Sequence, residues 1–262
     1  MFATSADLPT GPCPSLGTVT VDESSRWIHK ALDDFSRAPA CSLLYGAVFV
    51  VLSWAVVTFI LFSGVGSVVL PLASGFMLVG AMFAVPLHVI SRAHENGERI
   101  DLIEAVSRSR ASVPGLAIVG VVLTLIMMTW MLLALLIFAG FYGGSPPALT
   151  NFFINLLSSP QAALFLTVGT AVGAVMATAA FAVAFLSIPM LVDEPDTLPY
   201  HAMAVSMRAV LRQPRVLIGW GATLGFITLS GMIPAFLGLA FTIPVAGYAS
   251  WHAYRAVLPR AG

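Results

Sequence analysis

Charged residues are scarce in this sequence: Asp, Glu, Lys and Arg make up 9% of its 262 residues, whereas 58% are hydrophobic. Soluble globular proteins carry about a quarter charged residues, so the composition excludes an ordinary soluble domain and is typical of a membrane protein. The 12 basic and 12 acidic residues give a net charge of zero. Because nucleic-acid-binding proteins need a basic surface, this balance argues against nucleic acid as a partner.

Cysteine is nearly absent, and so are the signs of a secretory signal. Cys13 and Cys41 form no CxxC motif, which argues against a disulfide framework or a zinc site. The first residues, MFATSADLPTGPCPSLG, lack the basic and apolar regions of a signal peptide. Their Pro, Gly and Ser predict a flexible cytoplasmic tail over residues 1–20, followed by a single integral membrane domain over residues 21–262.

Long runs without charge occupy most of that domain. A helix needs about 20 apolar residues to cross the hydrocarbon core of a bilayer. Four runs meet this requirement, and the long run from Val216 to Val257 predicts two more helices with a break near Gly231–Pro234. We therefore predict an all-α polytopic membrane protein with six transmembrane helices in three hairpins, at about 43–63, 68–91, 116–140, 162–192, 215–233 and 235–257.

The charges lie on alternate connections between these spans. Three Lys or Arg residues precede the first span, four separate the second and third, three separate the fourth and fifth, and two end the chain. The connections at 64–67, at 141–161 and around 234 carry no charge. A wrong span count would scatter charges onto both sides, so this partition favours six spans. The positive-inside rule then predicts a bacterial cytoplasmic membrane protein with both termini in the cytoplasm.

An amphipathic segment ending at a proline precedes each hairpin. The apolar faces comprise Trp27, Ile28, Ala31, Leu32 and Phe35 in the first segment, Ile100, Ile103 and Val106 in the second, and Met203, Met207, Val210 and Leu211 in the third. Charged residues on the opposite faces predict helices on the bilayer surface, with basic side chains near the lipid phosphates. Because proline ends a helix, we expect the chain to change direction there and enter the bilayer.

Asp, Glu, Lys and Arg are missing from the interiors of the predicted spans, which argues against a proton or cation pump. Pro86, Pro189 and Pro244 each follow a β-branched residue late in a hairpin. They are interpreted as kinks, with unwinding at a substrate site as the alternative. Their recurrence indicates a threefold repeat of elements, although similar composition of the hairpins explains it equally well.

The histidines and carboxylates give no convergent set. The five histidines, His29, His88, His94, His201 and His252, all fall on the charged side, and a metal or haem site needs several ligands that converge. Spacing separates His88 from His94 around a helix, and His252 is interpreted as an interface anchor beside Trp251 and Tyr254. The carboxylates Glu95, Glu98, Asp101 and Glu104 predict a solvated loop and helix face.

Small residues and the uncharged loop indicate packing instead of chemistry. Gly169 and Gly173, and also Gly221 and Gly225, have GxxxG spacing, which favours close helix contact within the chain or between copies. A short helix at about 148–157 is expected to lie on the bilayer. No nucleophile, phosphate-loop or metalloprotease motif is present. We therefore predict no catalytic, cofactor-binding or metal site, no cofactor and no enzymatic activity.

Three stretches resemble a family of bacterial integral membrane proteins without an established function: GFMLVGAMFAVPLHVISRAHENGE, SIPMLVDEPDTLPYHAMAVSMRAVLRQP and GYASWHAYRAVL. Members are sometimes labelled cytochrome c oxidase subunit I. That label implies haem and copper histidines deep inside the spans, and this sequence places none there. The resemblance implies a six-helix inner-membrane protein and supplies no catalytic residues.

These observations together predict a non-enzymatic scaffold or accessory protein. Its expected partners are membrane lipid and another membrane protein or a second copy of the chain. The alternatives are a transporter or channel for a neutral or amphipathic solute and, more weakly, a haem-linked respiratory accessory protein.

Overall fold

The computed structural model of the chain describes residues 16–20, 22–63, 80–143 and 160–259. The regular secondary structure in these ranges is helical, which confirms the all-α class. Two short 3-10 helices occur, at Gly80–Ala84 and Arg110–Ser112. The α-helices are α1 Glu23–Arg37, α2 Pro39–Ser63, α3 Val85–Glu95, α4 Leu102–Ser109, α5 Val113–Tyr142, α6 Pro160–Asp193, α7 Pro199–Arg212, α8 Pro214–Met232 and α9 Leu239–Val257.

Four helical stretches in the described part of the chain are long and apolar enough to cross a membrane. They are Pro39–Phe59, Leu102–Tyr142, Gln161–Asp193 and Pro214–Met232, which correspond to the first, third, fourth and fifth predicted spans. The second predicted span, 68–91, and the surface helix expected at 148–157 fall wholly or partly outside the described ranges. The count of six and the hairpin arrangement therefore stay predictions.

The sixth predicted span, 235–257, corresponds to α9, which is the central helix of the fold. It packs against α1, α2, α3, α6 and α8, and Tyr248 and Trp251 in it are fully buried. A helix enclosed by other helices is not required to be apolar on every side. That explains why α9 carries His252 and Arg255 and does not meet the hydropathy expected of a lipid-exposed span.

The predicted break near Gly231–Pro234 is confirmed. Helix α8 ends at Met232 and α9 begins at Leu239. Between them Ala235 and Phe236 adopt positive φ angles of 51° and 67°, a conformation that L-residues adopt only in tight turns. The 42 residues of the long run 216–257 thus become two helices because the backbone reverses at this turn.

Two of the three proline-terminated helices end as predicted, and they do so with the same backbone geometry. Ala38 precedes Pro39 with φ −136° and ψ 57°, and Gln213 precedes Pro214 with φ −131° and ψ 56°. Both residues leave the helical region because the proline ring disfavours it in the preceding residue. Each Arg-x-Pro motif therefore ends one helix and begins the next.

The third junction differs. Ser112 and Val113, which precede Pro114, keep right-handed helical angles of −87° and −10° and of −52° and −45°. Only the 3-10 helix Arg110–Ser112 separates α4 from α5. Pro114 lies in the first turn of α5, where the missing N–H costs nothing. The sharp exit from helical geometry seen before Pro39 and Pro214 is therefore absent at this junction.

The apolar faces of the three amphipathic helices meet different surroundings. In α1, Trp27 and Ala31 are buried against protein, and the Trp27 ring contacts Trp220 edge-on with centroids 4.9 Å apart. The prediction that this face lies on lipid is therefore wrong for Trp27 and Ala31, whereas Leu32 is 38% exposed. In α4 the prediction fits better, because Ile103 and Val106 are 80% and 46% exposed.

Helix α7 combines both environments. Its residue Val210 is buried against the core, whereas Met207 and Leu211 are 45% and 76% exposed. One side of α7 packs on α6, and the other is free for lipid. Periodicity identified the apolar residues of these helices but did not distinguish protein from lipid as their neighbour.

Residues 16–20, the described end of the predicted tail, are bound to the fold. The side chain of Gln213 accepts a hydrogen bond from the Val19 N–H and donates one to the Gly17 carbonyl, each at 2.9 Å. The Gly17 N–H donates to the Val257 carbonyl, also at 2.9 Å. This short segment joins the α7–α8 junction to the end of α9.

The small residues with GxxxG spacing divide into packed and open positions. A Cβ on Gly173 would lie 3.1 Å from the Trp130 ring of α5, and one on Gly221 would lie 3.2 Å from the Phe181 ring of α6. Gly169 and Gly225 have no neighbour within 4 Å of the same position. Close helix packing within the chain therefore accounts for Gly173 and Gly221, while the other two face open space.

Candidate functional site

The most unusual feature of the interior is a buried carboxylate with three side-chain partners. Asp34 in α1 is 4% exposed. Its Oδ2 contacts Ser91 Oγ at 2.6 Å and His252 Nε2 at 2.8 Å, and its Oδ1 contacts His94 Nδ1 at 2.9 Å. All three partners are also buried. We call these four residues the Asp34 cluster.

Helical spacing explains how the cluster assembles. Asp34 lies seven residues after Trp27 and three residues after Ala31, so it lies on the buried face of α1. Ser91 and His94 are three residues apart on one face of α3. His252 comes from the central helix α9. The cluster thus ties α1 to α3 and to the central helix α9.

The electrostatics of the cluster favour an ionised Asp34. Burial acts to raise the pKa of the carboxyl, but the hydrogen bonds from His252, His94 and Ser91 outweigh it and hold the pKa below its ordinary value. A buried charge is tolerated when donors saturate it. Removing one of these partners leaves the others buried without compensation, so the cluster is expected to act as a structural lock on α1.

A second buried carboxylate lies at the end of α6. Asp193 is 6% exposed and accepts a hydrogen bond from the Tyr254 hydroxyl at 3.1 Å. Arg92 Nε and Arg255 Nη1 lie 3.4 and 3.6 Å from its two oxygens. Arg255 also pairs with Glu95 at 3.2 Å. This set, which we call the Asp193 cluster, links α6 to α3 and α9.

Helix α3 carries residues of both clusters. Ser91 and His94 face Asp34, while Arg92 and Glu95 face the Asp193 cluster. One turn of a short helix therefore connects α1, α6 and α9 through charge. Because buried charged groups are costly unless paired, this arrangement favours a single packing of the charged end of the protein.

The Asp34 cluster does not have the geometry of a catalytic triad. In a triad the nucleophile hydrogen-bonds to the histidine and the carboxylate orients the histidine, whereas here Ser91 bonds to the carboxylate itself. Ser91 is also fully buried. No group of three His, Cys, Asp or Glu side chains in the described ranges could hold a metal ion. The arrangement is suited to holding helices together.

The histidine predictions have mixed outcomes. His88 and His94 are separated as expected, since His94 bonds to Asp34 while His88 lies beside Trp251, with ring centroids 6.1 Å apart. The interpretation of His252 as an interface anchor is wrong, because His252, Trp251 and Tyr254 are all buried. A helix end rich in aromatic residues has the same sequence pattern whether it contacts lipid headgroups or other helices.

The four carboxylates predicted to be solvated lie mostly at the surface. Glu98 and Glu104 both pair with the exposed guanidinium of Arg108, at 2.6 and 2.8 Å. Asp101 is the N-cap of α4, where its side chain accepts from the Glu104 N–H at 2.7 Å. Glu95 differs, since it reaches the largely buried Arg255.

One sequence signal for the cluster was available. Asp34 occupies the apolar face of an amphipathic helix, in register with Trp27 and Ala31, whereas its neighbour Asp33 lies on the exposed face. A lone carboxylate on an apolar face indicates a buried partner. The sequence does not indicate which partner, because His252 lies 218 residues away.

Comparison with known proteins agrees with this picture of a helical membrane protein. Residues 69–193 match a family model described as a predicted integral membrane protein, DUF2189. The resemblance to a membrane protein family is confirmed. The DUF2189 match includes Ser91, His94 and Asp193 but ends before α9. No curated protein and no solved structure matches the chain.

Proposed function

We propose that this integral membrane protein is a non-enzymatic scaffold or accessory protein that associates with lipid or with another membrane complex. The observation that supports it is the uncovered surface of its apolar helices. In the apolar 18-residue stretch of Leu102–Tyr142 only 6% is buried, and in that of Pro39–Phe59 only 17% is buried. Along α5, Leu125, Leu132 and Leu136 are 57%, 68% and 69% exposed.

The distribution of polar groups agrees with such a role. The buried charges lie in the Asp34 and Asp193 clusters, where they bond to one another across helices. Apolar helices in a bilayer associate by packing and by contact between small residues, not by a hydrophobic effect between them. A charged end that fixes the packing of the apolar helices would present their exposed faces to lipid or to a neighbouring membrane protein.

The orientation belongs to the same proposal. We infer a bacterial cytoplasmic membrane and cytoplasmic termini from the positive-inside rule. A reporter that is active only in the cytoplasm is expected to be active when it is fused after Glu98. A reporter that is active only in the periplasm is expected to be active when it is fused after Tyr142. The converse result at either position would overturn the orientation.

Association is tested by cross-linking in native membranes. A photoreactive amino acid placed at Leu132, which is 68% exposed, is expected to give discrete adducts with another protein. The same amino acid at Leu123 on the buried side of α5 is the control, since its side chain is 0% exposed and faces only this chain. Mass spectrometry of the adducts identifies the partner.

The negative outcome is equally defined. If Leu132 and the 70% exposed Phe59 both yield lipid adducts alone, association with a membrane complex is wrong and lipid association alone stands. If purification in mild detergent also gives a monomer free of lipid and protein, the scaffold proposal fails and the transporter alternative takes its place.

A further inference from the structure

The junction of α7 and α8 is a basic corner that contains no acidic residue. Arg208, Arg212 and Arg215 lie within eight positions of one another, and no Asp or Glu follows Asp196 anywhere in the sequence. Arg212 and Arg215 are both exposed. They stand on the two sides of the break at Gln213–Pro214.

Two other exposed basic residues have acidic partners close by. Arg37 pairs with Asp33 in α1, and Arg108 pairs with Glu98 and Glu104. Across the ranges that the structure describes, neither Arg212 nor Arg215 forms an ion pair. Their charge is therefore uncompensated within the protein, and it is available to an anion from outside.

A continuous exposed stripe runs down α8 from Arg215. Its apolar members Ile218, Phe226 and Leu229 are 41%, 73% and 52% exposed. Gly219 and Ala222 lie between them and are also exposed, and a Cβ on Gly219 would meet nothing within 4 Å. The stripe thus has a cationic head followed by a shallow apolar track with small residues, which matches the shape and polarity of a phospholipid.

The start of α8 adds to the positive potential at the head of this stripe. Gln213 occupies the N-cap but makes no side-chain cap hydrogen bond, because its amide is bonded to Gly17 and Val19. The N-terminus of a helix carries a partial positive charge and backbone N–H groups that favour phosphate. Arg212, Arg215 and the helix end therefore all contribute positive potential at the α7–α8 junction.

We infer that the α7–α8 corner is a binding site for an anionic phospholipid of the bilayer. The phosphate lies against Arg212 and Arg215, and an acyl chain follows Ile218, Gly219 and Ala222. Basic residues at the membrane surface attract anionic lipid headgroups. This inference rests on the proposed association with lipid, and it adds the headgroup class and the place.

The test compares the thermal unfolding of the purified full-length protein in mild detergent with different additives. Phosphatidylglycerol is expected to raise the midpoint by several degrees, while phosphatidylcholine and inorganic phosphate leave it unchanged. In R212Q/R215Q we expect an affinity for phosphatidylglycerol at least about tenfold weaker. The control R26Q/K30Q removes two exposed charges from α1 and is expected to retain the response.

Three results would overturn the site. The first is stabilisation by phosphatidylcholine as large as that by phosphatidylglycerol. The second is an affinity of R212Q/R215Q for phosphatidylglycerol equal to that of the wild type. The third is a loss of affinity in R26Q/K30Q as large as that in R212Q/R215Q. Stabilisation by inorganic phosphate alone would assign the corner to a free anion and reject the lipid. Failure here is distinct from failure of the scaffold proposal, because cross-linking from Leu132 reports on a different surface and does not depend on the headgroup.

Discussion

Replacing Asp34 by Asn is expected to lower the free energy of unfolding by about 3–5 kcal/mol, the range for removing one partner of a buried charged pair. The Asp34 carboxylate accepts from Ser91, His94 and His252. An Asn of the same shape has a single oxygen and places an N–H₂ group among these donors. Thermal and denaturant unfolding in detergent measures the loss.

The neighbouring residue supplies a matched control. Asp33 is exposed and pairs with Arg37 one turn along the surface of α1. Such an exposed pair contributes less than about 1 kcal/mol, so Asp33→Asn is expected to change stability little. Equal effects of the two substitutions would show that the Asp34 cluster does not hold α1.

Acidification gives the same prediction an independent readout. Because the pKa of folded Asp34 is depressed by its hydrogen-bond donors, below the ordinary value of 3.8, the ionised cluster stabilises the fold fully above that value. Its contribution is lost as the pH falls from there towards the lower pKa of the folded state. The difference in stability between the wild type and Asp34→Asn should therefore shrink below about pH 4.

Replacing Gly46 by Ala is expected to destabilise the protein by about 1–3 kcal/mol, as overpacking does in a close contact. Gly46 lies where α2 meets α9, and a Cβ there would collide with the backbone of Ala240. If the colliding atoms belonged to a side chain they could rotate away, but the backbone of Ala240 cannot. The two helices would have to separate, and the unfolding midpoint should fall.

Gly225→Ala is the control for this substitution. Gly225 also lies in a helix that is long and apolar enough to cross a membrane, but nothing stands within 4 Å of its added Cβ. Alanine there is expected to be neutral or to stabilise by about 0.5–1 kcal/mol, because it restricts the unfolded chain. If Gly46→Ala behaved in the same way, the close approach of α2 and α9 would be refuted.

Much of the architecture follows from local sequence alone. The apolar runs predict α2, α5, α6 and α8, since an apolar run of that length satisfies its backbone only as a helix in a bilayer. The two Arg-x-Pro junctions end their helices as expected, because the conformational limit that proline imposes acts on the residue beside it. These features depend on neighbours in the chain, which the sequence contains directly.

The candidate site depended on residues far apart in the sequence. Asp34 and His252 are separated by 218 positions, and Asp193 meets Tyr254 across 61. Periodicity shows which face of a helix is apolar, but the helix that covers that face is determined by packing in three dimensions. Apolar residues with the same spacing pack against protein in α1 and are exposed in α4.

The sequence by itself determined that this chain is a helical membrane protein with its charge gathered away from its apolar runs, because the transfer of charge into hydrocarbon is unfavourable wherever it occurs. Only the tertiary structure decided that α9 is the central helix and that Asp34 and Asp193 are buried. Burial is the result of all helices packing together, and no single segment specifies it.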